Sequence, residues 1–166
     1  RIWDVVSGSC RQVLAGHGHW VQTLDFSLDG LSALTASKDC SAKLWGTQTG
    51  TCLHTLRGHQ REINSALFSP DNALVVTASE DNTAKLWSAW TGDLMRTFRH
   101  GDWVRSAAFS RDGTSVLTSC YDSTGRLWSV DSGECTRTFR GHHSLVVSSR
   151  FSPDGRLVRT SSTDCT

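Results

Sequence analysis

Residues 58–88 read GHQREINSALFSPDNALVVTASEDNTAKLWS. The alternating run up to Phe68 predicts a β-strand, and Ser69-Pro70-Asp71-Asn72 predicts a tight turn with Asn72 where a positive φ is cheap. A second strand through Val75, Val76 and Thr77 completes a hairpin, and Ala84 to Trp87 supplies a third strand that carries an aromatic residue. After Thr91-Gly92 a fourth strand follows, so one stretch of this kind amounts to four short antiparallel strands.

The pattern extends in both directions. Trp3, Trp45, Trp87 and Trp128 recur at intervals of 42, 42 and 41 residues, and a Gly follows each by five positions (Gly8, Gly50, Gly92, Gly133). Asp39, Asp81 and Asp122 each stand six residues before their Trp; His17, His59, His100 and His142 each stand 22 residues before an Asp, the last being Asp164. The turn recurs as Ser27-Leu28-Asp29-Gly30, Ser110-Arg111-Asp112-Gly113 and Ser152-Pro153-Asp154-Gly155. Ala42 to Trp45 and Gly125 to Trp128 repeat the third strand. No segment offers an amphipathic helix of ten residues or so, and the chain reads as all-β.

Composition narrows the function classes. The chain has 166 residues, 37% hydrophobic and 20% charged, too apolar for a disordered tail. No apolar run approaches the ~20 residues of a membrane-spanning helix, so no membrane partner is expected. Seventeen Lys and Arg against sixteen Asp and Glu give a net charge of +1. That balance supplies no field for nucleic acid, and no basic stripe is present, so no nucleic-acid partner is expected. The chain opens Arg1-Ile2-Trp3-Asp4 without an initiator Met and reads as a fragment. Six cysteines, none in a Cys-x-x-Cys pair, favour free thiols and a reducing, cytoplasmic location.

Gly58-His59, Phe68-Ser69-Pro70-Asp71, Thr77-Ala78-Ser79-Glu80-Asp81 and Leu86-Trp87 resemble the WD-repeat (WD40) family of β-propellers, and the resemblance covers essentially the whole chain. It implies blades of four antiparallel strands, about four blades' worth, left incomplete or closed by a second chain. The divisions expected are a partial blade at 1–15 (third and fourth strands), repeats at 16–57, 58–99 and 100–140, and a partial blade at 141–166 (first and second strands). Two departures stand out. Only Trp3 is followed by Asp, the others by Gly46, Ser88 and Ser129. His100 lacks the Gly found before the other three histidines (Gly16, Gly58, Gly141), which predicts an altered connection into that blade.

A recurring Thr, His and Asp suggests a nucleophile, a base and an orienting acid. The sets are His17, Thr35, Asp39; His59, Thr77, Asp81; His100, Thr118, Asp122; and His142, Thr160, Asp164. The resemblance instead assigns them, with Trp45, Trp87, Trp128 and, for the last set, Trp3 from a second chain, to structural tetrads inside the blades. An indole N–H only donates, a Thr hydroxyl accepts from it and donates onward, and His bridges to the carboxylate. An enzyme needs one site, whereas equivalent blades each need the same internal bonds, so no catalysis is expected. No metal is expected at His17-x-His19 or at His142-His143, which lack ligands at zinc spacing, and no Gly-rich phosphate loop implies a cofactor.

In the resembled family, partners meet the loop face near the central channel, which implies protein or peptide partners here and a scaffold role. The corresponding positions are Trp20, Glu62, Trp103 and Leu145, three residues after each His; Gln22, Asn64, Arg105 and Val147, five after; and Lys38, Glu80, Tyr121 and Thr163, directly before each Asp. They vary on a repeated frame, and Trp, Tyr and Arg are types enriched at interface hot spots. The alternative is a sensor or regulatory region of a larger multidomain signalling NTPase or kinase. Four periods leave an open arc, and the two partial blades are complementary halves. Two copies joined head to tail would form an eight-blade ring, although the seam from Asp164 through Thr166 and Arg1 to Trp3 spans five steps where full repeats span six. The competing explanation is a piece cut from a longer repeat array.

Overall fold

A computed structural model describes residues 1–166. Three four-stranded antiparallel sheets follow one another along the chain. The first contains β3 (Val21–Phe26), β4 (Ser32–Ser37), β5 (Ser41–Gly46) and β6 (Cys52–Arg57). The second contains β7 (Ile63–Phe68), β8 (Leu74–Ser79), β9 (Thr83–Ser88) and β10 (Leu94–Arg99); the third contains β11 (Val104–Phe109), β12 (Ser115–Cys120), β13 (Gly125–Ser129) and β14 (Cys135–Phe139). Two-stranded pairs flank them: β1 (Ile2–Trp3) with β2 (Cys10–Gln12), and β15 (Val146–Phe151) with β16 (Val158–Ser162). No helix is long and apolar enough to cross a membrane.

Each sheet is a meander in which neighbours in sequence pair in space, so every link is a short turn. The hairpin turns are held by one device. Ser69 Oγ donates to Asp71 Oδ1 at 2.5 Å, Asp71 Oδ1 accepts from Ala73 N at 3.0 Å, and Asn72 takes φ 61° where Gly30, Gly113 and Gly155 stand in the other copies.

The first strands β3, β7, β11 and β15 lie side by side, and the sheets stack face to face around them. Sheets covered on both sides lose the in-out alternation of a half-exposed strand. β4 and β8 are therefore buried along nearly their whole length, which suits their runs of Ala, Val, Leu, Ser and Thr. The core lies between the sheets: Leu34, Leu44 and Leu56 of the first pack with Ile63, Val75 and Trp87 of the second. Val76, Leu86 and Phe98 of the second pack with Val104, Val116 and Trp128 of the third.

The two end pairs are halves of opposite kind. β1–β2 stands beside the first sheet, where Gln12 Nε2 donates to Gln48 O at 2.6 Å, at the outer-strand side. With no inner strands there, Val21 is 50% exposed while its counterparts Ile63, Val104 and Val146 are all at 0%; Leu24 and Phe26 are exposed beside it. Trp3 is half-exposed, β1 pairs only with β2, and no hydrogen bond joins Trp3 to Thr160. Within one chain, therefore, Trp3 does not complete the set of His142, Thr160 and Asp164.

Candidate functional site

The repeated polar residues meet at the same place in successive sheets. In the first, Trp45 Nε1 donates to Thr35 Oγ1 at 2.8 Å, Thr35 Oγ1 lies 2.8 Å from His17 Nε2, and His17 Nδ1 lies 2.8 Å from Asp39 Oδ2. In the second, Trp87 Nε1 to Thr77 Oγ1 is 2.9 Å, Thr77 to His59 Nε2 is 2.7 Å, and His59 Nδ1 to Asp81 Oδ2 is 2.8 Å. His142 makes the corresponding contacts with Thr160 at 2.8 Å and Asp164 at 2.9 Å. Proton bookkeeping gives these chains a direction: the indole donates to the hydroxyl, the hydroxyl donates to the Nε2 lone pair, and Nδ1–H donates to the carboxylate.

The carboxylate also organises the turn before the third strand. Asp81 accepts from Gln60 N at 3.0 Å, Thr83 N at 3.0 Å and Thr83 Oγ1 at 2.6 Å. Although burial opposes ionisation, these donors and His59 hold Asp81 well below the usual carboxylate range, and the same kinds of donor depress Asp39 and Asp164. Burial pushes His59 down from 6.5, against the opposing pull of Asp81. Each carboxylate is thus saturated with donors in the folded state, and the Thr35 and Thr77 hydroxyls are each occupied by an indole.

The third sheet departs from the expected set. Trp128 Nε1 reaches Thr118 Oγ1 at 2.9 Å, but neither buried ring nitrogen of His100 has a hydrogen-bond partner. The cause is the missing Gly. In the second sheet Gly58 lies so close beneath the indole that a Cβ there would meet Trp87 Cη2 at 3.1 Å; it lets the chain pass under the ring before His59. Arg99 leads directly into His100, and the ring lies 5.2 Å from that of Trp128, whereas the corresponding separations are 6.3 and 6.2 Å. Asp122 is taken by Arg126, whose Nη2 donates to Oδ2 at 2.6 Å and whose Nη1 donates to Arg99 O at 3.2 Å. Lys43 and Lys85 at the equivalent position reach Thr55 and Thr97 instead.

The partner-binding candidates fall into backbone-linked pairs at one edge of the sheets. Lys38 N donates to Trp20 O at 2.9 Å, Glu80 N to Glu62 O at 3.0 Å, Tyr121 N to Trp103 O at 2.9 Å and Thr163 N to Leu145 O at 3.1 Å. Trp20 is exposed, with Lys38 Nζ 5.6 Å from its ring centre, and Lys38 crosses to Glu62 of the next sheet at 2.8 Å. Trp103 and Tyr121 stack with centroids 5.9 Å apart. Gln22, Asn64, Arg105 and Val147 sit at a β-bulge where the first strand slips register against the second. Gln22 and Arg105 are exposed and Val147 is half-buried. Asn64 is different: it is buried, and its Nδ2 donates to Val104 O at 3.2 Å, so this residue ties two sheets together and offers no surface. His19, weighed in the sequence only as part of His17-x-His19, lies next to Trp20 with ring centroids 5.7 Å apart.

Replacing Thr77 by Val strips the acceptor from Trp87 and the donor from His59 inside a closed interior, and is expected to cost about 2–4 kcal/mol. Thr118→Val takes the acceptor from Trp128 and a 3.3 Å donor from Arg126 O but disturbs no imidazole, and is expected to cost about half as much; urea denaturation of both variants checks the order. The acid sensitivity has a defined sign. Groups whose folded pKa is depressed bind more protons when unfolded, so their contribution is lost as pH falls. The urea midpoint is expected to decline below about pH 6.5, where unfolded histidines protonate but His59 resists, and faster below about 4 as Asp39, Asp81 and Asp164 are titrated.

Comparison with known proteins agrees with this architecture. The WD domain, G-beta repeat family (WD40) matches residues 8–46, 50–88, 92–129 and 133–166. Among curated proteins, the chain is similar to nuclear distribution protein PAC1 of Mycosarcoma maydis, 51% identical over 35 residues, which is 21% of this chain and 8% of that protein. It is also similar to nuclear distribution protein PAC1-2 of Uncinocarpus reesii (strain UAMH 1704), 46% identical over 44 residues, 26% of this chain and 10% of that protein. The matched stretches thus span a tenth or less of these relatives. With four family repeats laid over its successive antiparallel sheets, the chain belongs to the WD40 family.

Proposed function

We propose that the chain is a non-catalytic interaction scaffold that docks protein or peptide partners on the edge carrying Trp20, Lys38, Glu62, Glu80, Trp103 and Tyr121. The observation that carries this reading is the pairing of the two variable positions in every sheet through one backbone hydrogen bond. A repeated frame holds a different pair of side chains each time: an aromatic with a cation, two acids, two stacked aromatics, and Leu145 with Thr163. Rigid aromatic surface beside alternating charge suits an extended peptide, with Trp103 and Tyr121 as anchors that lose little side-chain entropy on binding. The sets around His17, His59 and His142 serve the blades, since their polar atoms are spent on one another. Six unpaired cysteines favour a cytoplasmic, reducing setting.

A second copy of the chain is proposed as the partner for the exposed edge at Val21, Leu24 and Phe26. β15–β16 supplies the inner pair of strands that β1–β2 lacks, so two arcs joined head to tail would pair each half with its complement.

Peptides selected from a random display library against the purified protein are expected to bind Trp103→Ala at least about tenfold more weakly, with Thr136→Ala, on the outer strand β14, unchanged. Equal affinity for all three proteins would place binding elsewhere. Light scattering under reducing conditions is expected to give twice the chain mass of 18.2 kDa. A monomer at all concentrations would overturn the paired arcs and leave the peptide surface standing.

A further inference from the structure

We propose that His100, Cys120 and Asp122 form a binding site for a single zinc ion inside the third blade. One donor atom from each residue lies within 4.8 Å of the other two. A tetrahedral zinc centre with bonds of about 2.0–2.3 Å spaces its ligands about 3.3–3.8 Å apart, so adjustment on the order of 1 Å seats the ion. Nitrogen, thiolate and carboxylate are the donor set that zinc takes.

Two departures from the repeat coincide here. Ser37, Ser79 and Ser162 occupy the position of Cys120 in the other copies. Ser79 Oγ donates to Arg61 O at 3.1 Å and accepts from Asp81 N at 3.1 Å. Cys120 Sγ keeps both contacts, with Asp102 O at 3.2 Å and Asp122 N at 3.4 Å, so the turn itself does not require sulfur. The only blade with a thiol at this position is also the only one whose His is released from its Thr and its Asp. Both nitrogens of His100 are buried without a partner, a costly state that a ligated ion relieves at one of them.

The charge of the ion is balanced within the site. Cys120 gives up its proton to solvent on binding, and the resulting thiolate and the Asp122 carboxylate offset the two positive charges. Arg126 and Thr124 remain hydrogen-bonded to Asp122 as outer partners that fix the carboxylate. The guanidinium adds a positive charge beside the carboxylate and weakens the site, its Nη2 engaging one oxygen while Thr124 Oγ1 engages the other at 2.5 Å.

The test is titration of the purified, reduced chain with Co²⁺ alone, followed by displacement with Zn²⁺. The expected result is one ion per chain, a thiolate-to-cobalt charge-transfer band, and a rise in Tm with Zn²⁺. Cys120→Ser restores the residue of the other blades and should fold; it is expected to lose the band and the rise in Tm. His100→Asn is expected to bind at least about tenfold more weakly. A band that survives in Cys120→Ser belongs to the exposed thiols and overturns the site, as does the absence of any band or an unaltered affinity in His100→Asn.

Discussion

The structure depends on one hydrogen bond repeated from sheet to sheet, from the Trp indole N–H to a Thr hydroxyl on the neighbouring strand, at 2.8, 2.9 and 2.9 Å in the three full sheets. An indole this deeply buried must donate or lose the free energy of its lost water, and a Thr on the second strand is the one hydroxyl within reach. Fixing the ring lets Trp87 join one core cluster with Leu34, Leu44 and Leu56 of the preceding sheet, and Trp128 another with Leu86 and Phe98 of its own predecessor. The same hydroxyl then passes its proton toward His and Asp. Asp in turn pins the turn before the third strand, so a single network links the packing of adjacent blades to the shape of the loop edge.

That link separates the polar groups that hold the frame from the side chains proposed to meet a partner. The polar groups that resemble a catalytic set are consumed in holding the frame, and the side chains that stand free are the ones beside it, at Trp20, Lys38, Trp103 and Tyr121. The third sheet is the exception that tests the rule. Loss of one Gly before His100 moves the imidazole against Trp128, and Arg126 takes over Asp122. The turn at Asp122 survives, with Ser123 at φ 64° matching Asn82 at 65°, because Thr124 makes the contacts that Thr83 makes in the second sheet and a guanidinium replaces the imidazole.

Much of this was legible in the sequence, because a period of 42 residues marks which positions are equivalent, and equivalent positions in stacked sheets do the same physical work. Four strands per period, the Ser-x-Asp turns and the recurrence of Trp, Thr, His and Asp follow from that spacing, and the resemblance to WD repeats implied their grouping into one bonded set. The burial of Asn64 was not legible. Its counterparts Gln22 and Arg105 point to solvent, and only the approach of the neighbouring sheet gives the Asn amide the Val104 carbonyl as a partner. The missing Gly pointed to an altered connection at His100, but not to its consequence. Whether a cation at position 126 reaches the Asp or the outer strand depends on the reach and fork geometry of Arg compared with Lys, which no periodicity encodes.

The most direct measurement of the central claim is hydrogen exchange of the indole N–H groups, followed residue by residue by NMR. The account predicts slow exchange at Trp45, Trp87 and Trp128, whose indoles donate inside the sheets, and fast exchange at the exposed Trp3, Trp20 and Trp90. Similar rates at all six would contradict it, since the indole bonds would then not be the points on which the blades are held.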